Sequence, residues 1–351
     1  MGLQNLPPEI LQQIARLYVN NVSVAEAWRM RETCKSVRLC IEYEVLARQP
    51  LGAFLHATPI RINRKILEWN IDKYLFHRVD SLYGAYPFIP NFIRTMVDIL
   101  VQAAGRDTQE VRLRYTESLC KTFADTYKDA FDCITTDMTV SIARGKVSTS
   151  LFDTDNVHTR VAAAAAVGSC RAIGIFVAGA YEMLWRDYNL SEWDSLPFGS
   201  PLNAATFCGR LTVVKAIIKR SEVHKGDMSD KFFPDVCEQV LINSIEWQQE
   251  HIAKFLLEHY NKTFGRPSAE ALTRWSNVAI EAGNENLVSI IFNAGTSRLC
   301  RLIIVVASPT FCLFVRLFGQ HSIGSLDRIF FAFIRPPRQN RSSASSPVES
   351  W

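Results

Sequence analysis

Ser200-Pro201-Leu202-Asn203-Ala204-Ala205-Thr206-Phe207-Cys208-Gly209-Arg210-Leu211-Thr212-Val213-Val214-Lys215-Ala216-Ile217-Ile218-Lys219 carries the strongest architectural signal in this chain. Ser200 is placed to cap a helix, and Pro201 suits its first turn, where the missing N–H would have no partner anyway. Ala204 and Ala205 keep that helix thin, so a neighbour can approach closely. Gly209 permits the positive φ at which a helix ends. Val213, Val214, Ile217 and Ile218 then recur at helical spacing and form one apolar face. The stretch reads as a helical hairpin.

Three further copies follow the same frame. Thr159–Gly168 leads to Ala172–Val177, Gln239–Ile245 leads to Ile252–Leu257, and Arg274–Gly283 leads to Leu287–Gly295. The starts at 159, 200, 239 and 274 lie 41, 39 and 35 residues apart. This ordered series resembles the ankyrin repeat, a hairpin unit of about 33 residues. The surplus falls in Tyr188–Phe198 and Val223–Pro234, where loop length costs little. The family's turn histidine is replaced by Asn203 and Ala162, and its break glycine by Gln248. Asn203 can still bridge backbone groups and Ala162 cannot, so the first hairpin is expected to be the looser one. The resemblance implies an all-α solenoid with a concave interaction face; a generic bundle of helix pairs is the competing architecture.

At the amino end, Leu6-Pro7-Pro8-Glu9-Ile10-Leu11-Gln12-Gln13-Ile14-Ala15-Arg16-Leu17 is followed by Trp28-Arg29-Met30-Arg31-Glu32-Thr33-Cys34-Lys35-Ser36-Val37-Arg38. Pro7 and Pro8 open a helix on which Ile10, Leu11, Ile14, Leu17 and Tyr18 share an apolar face. Met30, Cys34, Val37 and Ile41 form a second. The pair resembles an F-box, although Asn20–Ala27 lacks that family's leucine-rich second helix. The resemblance implies that Leu6, Pro7, Pro8 and Ile10 contact the Skp1 adaptor of a ubiquitin ligase while the rest of the chain selects substrates. A plain helical cap on the repeats is the other reading. Proteins of filamentous fungi often join such a start to ankyrin repeats, and this chain is similar to them.

Composition narrows the function. Of 351 residues, 48% are hydrophobic and 21% charged, as in ordinary globular proteins. Thirty-nine basic against 35 acidic residues give +4, scattered without a Lys/Arg stripe, so no nucleic-acid partner is expected. Nine cysteines without a CxxC pair, and a start lacking an apolar signal segment, point to buried reduced thiols in a cytoplasmic or nuclear protein. No GxGxxG, Walker loop, HExxH or GxSxG occurs, so no catalytic residue, cofactor or metal is expected. Asp153-Thr154-Asp155-Asn156 resembles the start of a calcium loop, but Ala164 stands where a bidentate Glu belongs, and a capping turn is the better reading. His251 and His259 lack a third ligand and read as surface residues.

Four segments result: an F-box-like segment at 1–48, a helical connector or degenerate repeats at 49–158, repeats at 159–297, and an atypical tail at 298–351. In the connector Ile93, Met96, Val97, Leu100 and Val101 lie on one stripe. In the tail Leu302–Val315 is uncharged yet too short, at Pro309, for an easy membrane span. It precedes Ile329–Ile334 and a Ser-rich end from Pro336 that reads as disordered. The tail is expected to be foreign to the array, the mark of a truncated repeat series or a mis-joined transcript. The expected function is a non-enzymatic protein-interaction scaffold, with Phe207, Arg210, Glu246, Trp247 and Glu281 facing a protein partner. For Phe207 and Trp247, burial between repeats is the alternative.

Overall fold

The computed structural model describes residues 6–143, 152–178, 184, 196–223 and 232–295, and the strand backbones 302–307, 312–317 and 330–333. The chain forms two compact units, Met1–Ala204 and Ala205–Trp351. Every regular element from Pro8 to Gly295, among the described residues, is an α-helix or a short helical turn.

The first unit opens with α1 (Pro8–Asn21), α2 (Val24–Met30) and α3 (Lys35–Leu46). Helix α2 lies where no leucine-rich helix was expected. Ser23 caps it through the Glu26 N–H, and Val24, Ala25, Ala27 and Trp28 supply its buried side. Small residues replace leucines, which is why the pattern does not announce a helix. Because α2 ends at Met30, that residue does not share a face with Val37 and Ile41: Met30 is exposed while the other two are buried.

Next come α4 (Leu51–Leu55), α5 (Ile60–Glu68) and α6 (Ile71–Asp80). Arg78 on α6 is fully buried, and its guanidinium donates to the carbonyls of Leu46, Ala47 and Gln49 at 3.2, 2.5 and 2.6 Å. Those of Leu46 and Ala47 are carbonyls that the end of α3 leaves without helical partners, and a cation there also opposes the helix dipole. The guanidinium lies 4.7 Å from the Tyr74 ring.

The described part of the connector is helical. In α7 (Phe88–Ala104), Ile93, Met96, Val97, Leu100 and Val101 are all buried, as their spacing predicts. Helix α7 packs on α8 (Gln109–Thr126), which Thr108 caps. After α9 (Ala130–Thr135) and α10 (Met138–Ala143), Asp155 N–H closes a turn on Asp153 Oδ1, and Asn156 Oδ1 receives the His158 and Thr159 N–H groups. The Asp-rich stretch is therefore a capping turn. It starts α11 (Val157–Val167), which pairs with α12 (Cys170–Val177) and packs against α7 and α8. Val161 through Ala166 are wholly buried. The hairpin expected to be loosest is held on every side, because alanine lets three helices close in on one. Phe92 stacks on Phe198 and meets Phe152 edge-on, tying two loops to the same core.

The second unit takes in the end of α13 (Pro201–Phe207), then α14 (Leu211–Val223), α15 (Phe232–Glu246), α16 (Glu250–Phe264), α17 (Ala269–Glu281) and α18 (Glu285–Gly295). Val213, Val214, Ile217 and Ile218 are buried, as the hairpin reading requires. Helix α15 pairs with α16 and α17 with α18; α15 also packs on α17, and α16 on both α14 and α18. The third and fourth first-helices begin at Phe232 and Ala269, ahead of the sequence frame. Four breaks keep the register: Gly168, Gly209, Gln248 and Gly283 have φ of 83°, 68°, 56° and 68°. Trp275, fully buried, donates its indole N–H to Glu238 at 3.0 Å and meets Tyr260 edge-on.

Beyond Gly295 the helical pattern stops. Leu302–Ala307, Cys312–Leu317 and Phe330–Phe333 form three antiparallel strands, β1, β2 and β3, in the order β1-β2-β3, with Leu302 opposite Leu317. The Ser-rich end lies outside the described residues. Of the described cysteines, Cys120, Cys133 and Cys237 are buried, whereas Cys170 is exposed and corrects the expectation of uniform burial. No described helix is long and apolar enough to cross a membrane.

Gly209 is needed for its positive φ; a Cβ there would also displace the end of the Gln249 side chain, whose Oε1 would lie 2.7 Å away. A left-handed residue with a Cβ costs about 1–2 kcal/mol before any clash. Gly209→Ala should therefore lower the unfolding free energy by about 2 kcal/mol in urea titration; an unchanged midpoint would contradict this account of the turn.

Candidate functional site

Two surfaces stand out, one in each unit. The first is on α1. Leu11, Ala15 and Val19 are its buried residues, at one helical stripe, and Gln12 donates to the buried Glu44 of α3 at 2.5 Å. The inward side is thus set by Leu11 and Ala15, and the single face expected from Ile10 to Tyr18 is corrected. Ile10, Ile14 and Leu17 point to solvent with 43%, 41% and 65% of their surface exposed. At i, i+4 and i+7 they form a second apolar stripe that the protein leaves uncovered. Covering each side chain is worth about 1 kcal/mol. Pro7 and Pro8 are exposed beside it, and Leu6 is half-buried. Of the residues expected to meet an adaptor, Pro7, Pro8 and Ile10 are accessible. Ile14 and Leu17 join them; their spacing from Ile10 was the available signal.

The second surface runs along the breaks of the second unit. Gln249 Nε2 donates to the Phe207 carbonyl at 3.2 Å, His251 Nε2 lies 3.3 Å from the Gly209 carbonyl, and Gln248 Nε2 donates to the Ala282 carbonyl at 3.0 Å. Each hairpin's corner is thereby tied to the next. None of these three side chains figured among the expected site residues, since amide side chains at a turn carry no motif.

On this row Phe207 is buried and meets the half-buried Trp247 edge-on at 5.2 Å. Phe207 is a packing residue, which corrects its placement on the docking face: its ring is taken by the next hairpin. Arg210 is half-buried, and Glu246 and Glu281 are exposed. The structure sets Glu246 and Glu281 within electrostatic reach of each other. Partial desolvation, and secondarily the Glu281 charge, hold the Glu246 carboxyl above its ordinary range. A groove of about 550 Å³ follows α17, lined among others by Glu270, Arg274, Asn277 and Glu281. Arg274 is drawn to one side by Glu238 at 2.7 Å.

The histidines go separate ways. His251 serves the corner, while His259 stacks on Phe255 with Nδ1 3.8 Å from Glu222. Among the described residues no three His, Cys, Asp or Glu side chains gather closely enough to hold a metal ion. The two surfaces are thus an aliphatic stripe in one unit, and carboxylates beside a tryptophan in the other. Comparison with protein-family models, with curated proteins and with solved structures gives no match.

Because Glu246 binds its proton more tightly in the fold than in the unfolded chain, stability is lost as pH rises through the carboxylate range, and the loss is complete once both forms are ionised. Glu246→Gln should raise the melting temperature at pH 7 and leave it unchanged at pH 3. An equal rise at both pH values would show that the carboxyl's charge is not the cause.

Proposed function

We propose that the chain is a non-enzymatic protein-interaction scaffold whose amino-terminal helices dock on an adaptor, as substrate receptors of SCF-type ubiquitin ligases dock on Skp1. The observation that carries this reading is the uncovered Ile10, Ile14 and Leu17 stripe on a helix already anchored through its other side. A two-turn aliphatic stripe facing water is a liability unless another molecule covers it. The Leu6-Pro7-Pro8-Glu9 opening supports the F-box-like reading independently of the stripe. Here Ile14 and Leu17 join Leu6, Pro7, Pro8 and Ile10 as adaptor contacts, and the remaining helices hold the substrate.

The paired helices and in-register breaks support an ankyrin-like reading of the hairpins, and a second reading follows from them. In it the scaffold acts through the row of corners in the second unit, without an adaptor. The approach of Glu246 and Glu281 beside Trp247 favours a partner that brings a cationic side chain to this row. Under this reading Trp247→Ala should weaken capture of the partner far more than uncovering Phe207 lowers the melting temperature. A parallel loss of both would make the tryptophan a core residue.

For the first reading, Ile10→Asp and Leu17→Asp should each reduce co-purified Skp1 adaptor to background. Their melting temperatures should stay close to the parent's, since both side chains face water. Retention of the adaptor by both variants, or by a chain lacking residues 1–45, would remove the adaptor from the function.

A further inference from the structure

We propose that the outer side of α5 is a second docking surface, shaped for an acidic protein segment with apolar flanks; it rests on none of the residues assigned to the adaptor. Helix α5 is held firmly by its inner side. Asn63, Ile66 and Leu67 are buried, and the Asn63 amide donates to the Ala53 and Ala57 carbonyls at 3.3 and 2.9 Å. It packs on α4 and α2. A rigid backbone therefore presents whatever points outward.

What points outward is unusual for an exposed helix. Ile60, Ile62 and Trp69 keep 45%, 43% and 41% of their surface exposed, and Arg61, Arg64 and Lys65 stand exposed among them. Among the described residues no carboxylate pairs with these three cations, whereas Arg31, Arg48, Lys73, Arg112 and Arg160 of the same unit each sit in an ion pair. The Arg64 guanidinium lies 5.3 Å from the Phe131 ring, a contact that positions the charge without neutralising it.

The order around the helix identifies the occupant. At about 100° per residue the exposed arc runs Ile60, Arg64, Glu68, Arg61, Lys65, Trp69, Ile62. A ridge of three cations with the exposed Glu68 among them, net positive by two charges, thus lies between two apolar margins. A helix that rests on a bilayer has the reverse order, with its apolar side chains together and its cations at the edges. A nucleic acid would pair its phosphates with the ridge and find one stacking ring at Trp69, but gain nothing from Ile60 and Ile62. A protein segment that aligns carboxylates over the ridge, with aliphatic side chains to either side, satisfies both. Arg and Trp are the residue types on which such contacts concentrate.

The test uses the full chain and a fluorescein-labelled helical peptide in which Glu faces one side and Leu flanks it. Scrambled and Lys-for-Glu versions, phosphatidylserine vesicles and poly(U) serve as comparisons. The Glu/Leu peptide should bind best. Arg61→Glu with Lys65→Glu should weaken it about tenfold, from the loss of two exposed attractions and the gain of two repulsions. Ile62→Ser should weaken it several-fold, and salt should oppose binding. If the double reversal lowers the melting temperature, Arg61→Gln with Lys65→Gln is read instead. Failure of the Glu/Leu peptide to bind, equal affinity for its scrambled version, indifference to the variants, or tighter charge-dependent binding to vesicles or poly(U) would each overturn the proposal. The adaptor assay with Ile10→Asp reports separately.

Discussion

The four in-register hairpins each turn through one residue in the left-handed region, and they depend on that reversal. Three of the four in-register breaks use glycine, for which the conformation is nearly free. The fourth uses Gln248, where a side chain is strained by about 1 kcal/mol or more. The same side chain donates to the Ala282 carbonyl of the following hairpin, a bond that offsets part of the strain. Conformation and contact meet at one residue: the geometry that turns the chain also points an amide at the next corner.

Helix thickness is the second constraint, and the two units meet it differently. Around α11 the core consists of alanines and valines, so helices approach closely and no single side chain carries the packing. In the second unit the buried Trp275 occupies a wide gap and needs a polar partner for its indole N–H. It finds one in Glu238, which also receives Arg274. The first arrangement is intolerant of added bulk, and the second of a lost hydrogen bond.

The breaks, the buried faces of α7 and α14, and the capping turn before α11 were all legible in the sequence, because each rests on local chemistry within one helical turn. Helix starts were not. Phe232 and Ala269 precede the recognisable frame, and helix propensity changes too gradually there to mark a boundary. The inward side of α1 also escaped, because Ile10 and Ile14 are as apolar as Leu11, and only the position of α3 selects among them. Phe207 was misplaced for a similar reason: its burial is set by Trp247, forty residues on. The uncharged stretch Leu302–Val315 of the tail gave its apolarity away but not its pairing, since strand partners are distant in the chain. The ridge on α5 went unseen because Arg61, Arg64 and Lys65 look like ordinary surface until the buried side of the helix is known.

Arg78 gives the amino-terminal segment a dependence that its apparent boundary near residue 48 conceals. The carbonyls that end α3 are satisfied by a guanidinium some thirty residues downstream, so the motif-like portion and the body of the first unit share one polar linchpin. Excising the first 48 residues for separate use would leave that helix end frayed, and grafting them elsewhere would require a substitute cation. The motif-like segment and the folding unit therefore do not share an edge.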